Sequence, residues 1–167
     1  YRNSQKVLFL DRDNTLIKCK KGDYILNKEI IFYENRIRKI AEISKDFNFV
    51  LLITNQPQIS MGLVSYQQVI DINSSIILHC QKLNLNISAA YICPHHPHKG
   101  FLNEIDYLKV NCFCRKPLPG NFLEASFNRN ILLNESLLIG DSWRDFEAAK
   151  NINMNFLDIN KLDISSE

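Results

Sequence analysis

Val7-Leu8-Phe9-Leu10 is an unbroken apolar run that stops at a carboxylate, Asp11. A short segment apolar on both faces is the pattern of a parallel strand covered on both sides. The polar residue at its carboxyl end then opens into a site. From about Asn35 to Asn48 the period changes, and Ile37, Ile40, Ala41 and Ile43 or Ser44, completed by Phe47, recur as a helical stripe. Phe49 to Ile53 is a second buried strand, followed by the polar triplet Thr54-Asn55-Gln56 and a loop from Pro57 to Gly62. Ser65 is placed to cap a helix running to about Leu83, with Val69, Ile72, Ile76 and Cys80 inward.

Ala89 to Cys93 predicts a third strand, and a long excursion rich in histidine and cysteine then runs to Pro119 with little periodicity. Loops of that length need their own support. A helix from about Asn121 to Asn128, a strand from Ser136 to Gly140 ending at Asp141, a short helix from Arg144 to Asn151 and a last strand from Asn155 to Ile159 complete the pattern. Strands alternating with helices predict a parallel sheet with helices on both faces, a single-domain Rossmann-like α/β fold over residues 1–167. In such sheets ligands bind beyond the carboxyl ends of the strands, near a switch in strand order. Asp11, Thr54 and Asp141 are therefore expected to meet.

Composition narrows the function. The 167 residues suit one domain, and 46% hydrophobic with 23% charged residues is ordinary for a packed globular chain. Net charge is only +2, and the basic clusters Lys18-Lys20-Lys21 and Arg36-Arg38-Lys39 read as solvated surface, which argues against a nucleic-acid partner. The longest apolar runs are too short to cross a bilayer and the amino end shows no signal-peptide pattern, so no membrane partner and a cytoplasmic location are expected. The chain starts at Tyr1 rather than Met, which leaves room for a fused partner domain outside it; the domain itself is expected to be a monomer.

Asp11 and Asp13 lie two residues apart on extended backbone and so project to the same side. One carboxylate can attack phosphorus to form an acyl phosphate if a cation offsets the charge of both partners. Asp11, the backbone carbonyl of Asp13 and Asp141 can hold Mg2+, leaving the Asp13 side chain for proton transfer. Thr54 can donate to the phosphoryl group, and Lys116 supplies a compact positive charge.

The five cysteines are an odd number, and three of them lie at metal-ligand spacing with histidines. Cys93-Pro94-His95-His96 and Cys112-Phe113-Cys114 supply a Cys₃His set for Zn2+, with His95 or His96 as the nitrogen ligand. Four protein ligands leave no open position, so the zinc would support the long loop rather than react. Cys80 reads as core filler, Cys19 as a spare thiol, and His79 as a helix-surface residue.

Asp11-Arg12-Asp13-Asn14-Thr15, Thr54-Asn55, Arg115-Lys116-Pro117 and Gly140-Asp141 through Asp145 resemble the four motifs of the haloacid dehalogenase-like phosphatases, from Val7 to about Asn155. The resemblance implies Asp11 as nucleophile, Asp13 as acid and base, Thr54 and Lys116 on the phosphoryl group, and Asp141 on magnesium. Asp145 is then expected to order its loop rather than bind the metal. Coupling of Cys-Pro-His-His-Pro to Cys-x-Cys-Arg-Lys-Pro resembles the zinc-containing branch of heptose 1,7-bisphosphate and histidinol phosphate phosphatases. That resemblance selects His95 as the zinc ligand. It also implies that Arg115 reaches a distal phosphate or the sugar, with Asn55 and Gln56 helping to seat the substrate.

The chain departs from the family pattern at three places. Asn14 replaces a glycine, a change that a residue tolerant of positive φ can absorb. The loop from Pro57 to Gly62 lacks the usual small glycine and the arginine, with Met61 in the stretch, and Ser142 stands where lysine is common. The expected reaction is removal of the 7-phosphate of a heptose 1,7-bisphosphate. Histidinol phosphate hydrolysis and a catalytically retired, zinc-stabilised interaction module are the alternatives. A nucleic-acid 3′-phosphatase is a more distant one, because no basic and aromatic patch is seen.

Overall fold

In the computed structural model the described residues are 4–20 and 22–164; Lys21, one member of the first basic cluster, lies outside them, as do both chain ends. The four apolar residues Val7–Leu10 form the central strand β1, completely buried, with β2 (Phe49–Asn55) on one side and β4 (Leu137–Gly140) on the other. β3 (Ile87–Cys93) and β5 (Asn155–Asp158) form the edges, giving the order β3-β2-β1-β4-β5, parallel throughout.

The period-2 alternation of the strands assigns their side chains to two cores. Leu8, Leu10, Val50 and Leu52 pack with Ile37, Ile40 and Ala41 of α1 (Glu34–Ser44) and with Ile72, Ile76 and Cys80 of α2 (Tyr66–Lys82). Val7, Phe9, Leu51 and Ile53 pack on the other face with Phe122 and Ala125 of α3 (Gly120–Arg129) and Ala148 and Ala149 of α4 (Trp143–Asn151). The chain thus covers one face while building outward from β1 to β3, and the other face while building β4 and β5. Strand order reverses between β1 and β4, which opens the crevice at their carboxyl ends.

Most element boundaries follow the sequence reading to within a residue or two, but α1 stops at Ser44, short of the expected Asn48, and β3 begins at Ile87, two residues early. β2 runs two residues further than the apolar stretch, through Thr54 and Asn55, because these pair in register with Ile92 and Cys93 of β3. Ser65 caps α2 as expected, accepting from Gln68 N at 3.0 Å while the Gln68 side chain accepts from Ser65 N at 2.8 Å. Cys80 is fully buried in the core, and Cys19 is half-buried at its edge. His79 does not simply face solvent: its ring stacks on Phe32 at 3.7 Å and its Nε2 faces Glu34 at 3.2 Å.

Two features left no periodic signal. After β1 the chain folds back as a flap, in which Lys18 N donates to Ile31 O and Tyr33 N to Leu16 O, with Ile17 bridged to Phe32. Lys18 and Lys20 are exposed, as expected, at the rim of an open pocket of about 580 Å³ on this flap that Tyr24, Leu26 and Leu63 also line. The long segment between β3 and α3 carries one 3₁₀ turn, Asp106–Leu108, and is otherwise irregular. No helix among the described residues is long and apolar enough to cross a membrane.

Candidate active site and metal centre

β1 delivers Asp11 into the crevice at the point where strand order reverses, with Asp11 N still bonded to Ile139 O of β4 at 3.0 Å. β4 ends at Gly140, so Asp141 follows on the neighbouring strand. The carboxylates of Asp11, Asp141 and Asp145 converge, with oxygen atoms within 4.8 Å of one another. Lys116, buried beneath them, donates to Asp11 Oδ1 at 2.6 Å, Asp145 Oδ1 at 2.7 Å and Ile53 O at 3.1 Å. Thr15 donates to the other Asp11 oxygen at 3.2 Å.

One ammonium among three carboxylates leaves surplus negative charge. Burial pushes the Asp11 carboxyl well above its ordinary value; Lys116 opposes this, while Asp145 and Asp141 add to it. Burial alone would lower the Lys116 pKa, but Asp11 and Asp145 outweigh it and the net shift is upward. An oxygen-rich cluster in which a carboxylate resists ionising fits a small hard cation such as Mg2+. Asp145 is otherwise engaged: its Oδ2 accepts from Ser142 N at 3.2 Å and Ser142 Oγ at 3.1 Å, a capping box on α4. Gly140 is required beside it, because a Cβ there would lie 2.5 Å from the Asp145 carboxyl carbon.

Asn14 adopts φ 58°, the left-handed turn expected of it, and its side-chain oxygen accepts from Cys19 N at 3.0 Å. Asp13 lies beside Asp11 at the crevice. Its carboxylate accepts from Arg12 Nε at 2.8 Å and from Gln56 Nε2 at 3.1 Å. The same Gln56 nitrogen donates to Thr54 Oγ1 at 2.9 Å. Because Thr54 accepts here, its hydroxyl proton stays free for an incoming oxygen.

Asn55 clamps the backbone of Lys116 at both ends, donating to Lys116 O at 3.1 Å and accepting from Lys116 N at 3.0 Å. The side-chain amides of Asn55 and Gln56 are thus directed at protein groups. The half-buried Arg115 guanidinium has no carboxylate partner among the described residues.

The second cluster joins β3 to the long loop. Cys93, the last residue of β3, meets His95, Cys112 and Cys114, with Sγ–Sγ distances of 2.9 Å to Cys114 and 3.5 Å to Cys112. His95 Nδ1 lies 3.3 Å from Cys114 Sγ and 3.6 Å from Cys93 Sγ. A tetrahedral zinc site with Zn–S of about 2.3 Å has S–S edges of roughly 3.8 Å; the Cys93–Cys112 distance is close to such an edge and the Cys93–Cys114 distance is shorter. Contact with Cys93 holds Cys114 down to about 6 against burial, with His95 and Cys112 assisting. The same contact, followed by burial, pushes Cys93 upward. The sulfurs crowd too closely for every one to ionise alone, which is the chemistry of a site built for a thiophilic cation.

His96 and His98 stay outside this cluster and touch each other instead. The loop is tied down further by Glu104, which accepts from Gly100 N and Phe101 N and pairs with the buried Lys109 ammonium. Ile105 N reaches Ser60 O at 2.9 Å, and Gly62, at φ +74°, lets Asn103 approach where a Cβ would be 1.8 Å from its carbonyl oxygen. The loop carrying Arg115 and Lys116 is thereby fixed over the strand ends. Arg12, Thr15 and Asn73 were not singled out from the sequence. The alternation Leu8, Leu10, Arg12 could have flagged Arg12 as a charge entering the core on the α2 face.

A family profile described as polynucleotide kinase 3 phosphatase matches residues 6–161. A protein of Helicobacter pylori named D-glycero-beta-D-manno-heptose-1,7-bisphosphate 7-phosphatase is 33% identical over 153 residues, covering 89% of this chain and 80% of that protein. One of the same name from Photorhabdus laumondii is 32% identical over 143 residues, covering 86% and 73%. The crystal structure of D,D-heptose 1,7-bisphosphate phosphatase from B. bronchiseptica, complexed with magnesium and phosphate, superposes with a TM-score of 0.75 at 26% identity, covering 90% of this chain and 78% of that one.

Proposed function

This chain belongs to the polynucleotide kinase 3 phosphatase family of haloacid dehalogenase-like phosphatases, and from that premise we propose that it removes the 7-phosphate of a heptose 1,7-bisphosphate through a phosphorylated Asp11. The observation that carries the chemistry is Lys116, buried between Asp11 and Asp145 at the switch in strand order. Its ammonium offsets part of the surplus negative charge at the nucleophile and places positive charge beside the oxygen that would carry the phosphoryl group.

In this reading a carboxylate oxygen of Asp11 attacks phosphorus and the ester P–O bond breaks. Asp13 gives its proton to the departing sugar oxygen. Asp13 then takes a proton from the water that attacks the aspartyl phosphate, releasing phosphate and restoring Asp11. Asp11, Asp141 and the Asp13 carbonyl would hold magnesium, which offsets the repulsion between carboxylate and phosphate. Thr54 offers its free hydroxyl proton to the transferring group. Asn55 and Gln56 serve by fixing Lys116, Thr54 and Asp13 rather than through free amides of their own.

Cys93, His95, Cys112 and Cys114 would hold zinc as a closed structural site. The small-molecule reading of the substrate rests on the named relatives and on Arg115. A guanidinium next to Lys116 with no carboxylate partner among the described residues suits a second phosphate, in bidentate contact. A complete site within one chain fits action as a monomer, and reduced thiols with a sugar phosphate substrate fit the cytoplasm.

The test is kcat/KM for heptose 1,7-bisphosphate and for histidinol phosphate, with wild type and Arg115→Ala. The bisphosphate should be preferred and that preference should collapse in the variant. A clear preference for histidinol phosphate would defeat the substrate assignment while leaving the phosphatase intact.

A further inference from the structure

Arg12 is 1% exposed, an unusual burial for a guanidinium. It enters the α1 and α2 face of the sheet by the same alternation that places Leu8 and Leu10 there, while Asp11 and Asp13 leave on the opposite parity. Its long side chain then turns back to the crevice. Nε donates to Asp13 Oδ1 at 2.8 Å and Nη2 to Asp13 Oδ2 at 3.4 Å, a fork on both carboxylate oxygens. Nη1 donates to Asn73 Oδ1 of α2 at 3.1 Å.

Asn73 is 3% exposed, and its Nδ2 has no hydrogen-bond partner among the described residues. A buried amide that leaves its own donor unsatisfied is being held in that orientation by something else. Turning it over would point an NH₂ at a guanidinium. Arg12 therefore fixes Asn73, and Asn73 fixes Arg12. On its far side Asp13 is met by Gln56. The carboxylate is thus gripped from two directions, and one grip is anchored in the interior of α2.

We propose that Arg12 and Asn73 are positioning residues that set the orientation of Asp13 for proton transfer to the leaving oxygen. The assignment rests on the acid role of Asp13 given above. A carboxyl that must deliver a proton along one line loses most of its effect when its torsion is free. Arg12 does not touch substrate in this arrangement; it acts through Asp13.

The experiment exploits the leaving group. kcat/KM reports the steps up to departure of the alcohol. A sugar alkoxide needs a proton at that moment, whereas p-nitrophenolate leaves without one. Arg12→Lys and Asn73→Ala should lower kcat/KM for heptose 1,7-bisphosphate roughly 10- to 100-fold, a share of the about 10²–10⁴ that general acid catalysis supplies. With p-nitrophenyl phosphate the loss should stay under about 3-fold, which also certifies that the protein is folded and its nucleophile competent. Asn73→Asp, which keeps an oxygen for Nη1, should recover most of the sugar-phosphate rate.

Asp13→Asn is run beside them. If it too loses the sugar phosphate selectively while Arg12→Lys and Asn73→Ala slow both substrates alike, the two residues are structural and the positioning assignment is overturned. If Asp13→Asn slows both substrates equally, the acid role itself is wrong, and the assignment falls with it. Should Arg12→Lys not fold, Asn73→Ala and Asn73→Asp decide the matter alone, since neither introduces a change in the first loop.

Discussion

Replacing Lys116 by methionine keeps an unbranched side chain, one atom shorter, and removes its charge. In the wild type the ammonium is 3% exposed and makes close ion pairs of 2.6 Å and 2.7 Å with Asp11 and Asp145. Breaking a buried pair by deleting one partner costs about 3–5 kcal/mol, because the other charge is left without compensation. At about 2–4 °C per kcal/mol for a domain of this size, metal-free Lys116→Met should melt roughly 6–20 °C below wild type near pH 7.

The pH dependence has a definite sign. Burial already raises Asp11, and loss of Lys116 removes the term that opposes it. A carboxyl raised in the folded state stabilises fully below its unfolded pKa, about 4, and loses that contribution as pH rises through the folded value. The gap between variant and wild type should therefore widen from acid to neutral pH. Magnesium should narrow it by supplying charge to Asp11 and Asp141, without restoring turnover, since a donor to the phosphoryl group is worth about 10²–10³ in kcat. Thermal melts at several pH values, with chelator and with magnesium, measure all of this. A variant that melts with the wild type in chelator at neutral pH would refute the view of Lys116 as the charge that holds the acidic cluster together.

Three further outcomes follow from the geometry. Asp11→Asn should abolish turnover without unfolding, because the amide keeps the volume of the carboxyl and removes the nucleophile; phosphate release above background by the folded variant would count against the covalent route. Elemental analysis should find one zinc per chain, released by acid as the thiolates protonate, and Cys112→Ser or Cys114→Ser should lower both Tm and activity, since the same loop carries Arg115 and Lys116. Gly140→Ala should impair activity and stability together by driving a methyl group into the Asp145 carboxyl 2.5 Å away, visible as a parallel fall in Tm and kcat.

Much of this molecule was legible in the chain. Apolar runs of four and five residues ending in Asp11 and Thr54 specify buried parallel strands, because only a strand covered on both faces has no use for polar alternation. The helical stripes of α1 and α2, the Ser65 cap and the burial of Cys80 follow from the same local rules. The spacing of Cys93, Cys112 and Cys114 with the His95-His96 pair points to a group of donors that could hold a metal ion, and the fold brings Cys93, His95, Cys112 and Cys114 together.

What only the folded chain decided lies in long-range contacts. Lys116 reaches Asp11 across 105 residues and Asp145 across 29, and Asn55 grips the Lys116 backbone across 61. No local period encodes such pairings; they exist because the order β3-β2-β1-β4-β5 brings separate strand ends to one crevice. The destination of Arg12 is of the same kind. Its parity says which face it enters, but the fork onto Asp13 and the anchor on Asn73 depend on where α2 packs, and that is set by the whole core rather than by neighbours in sequence.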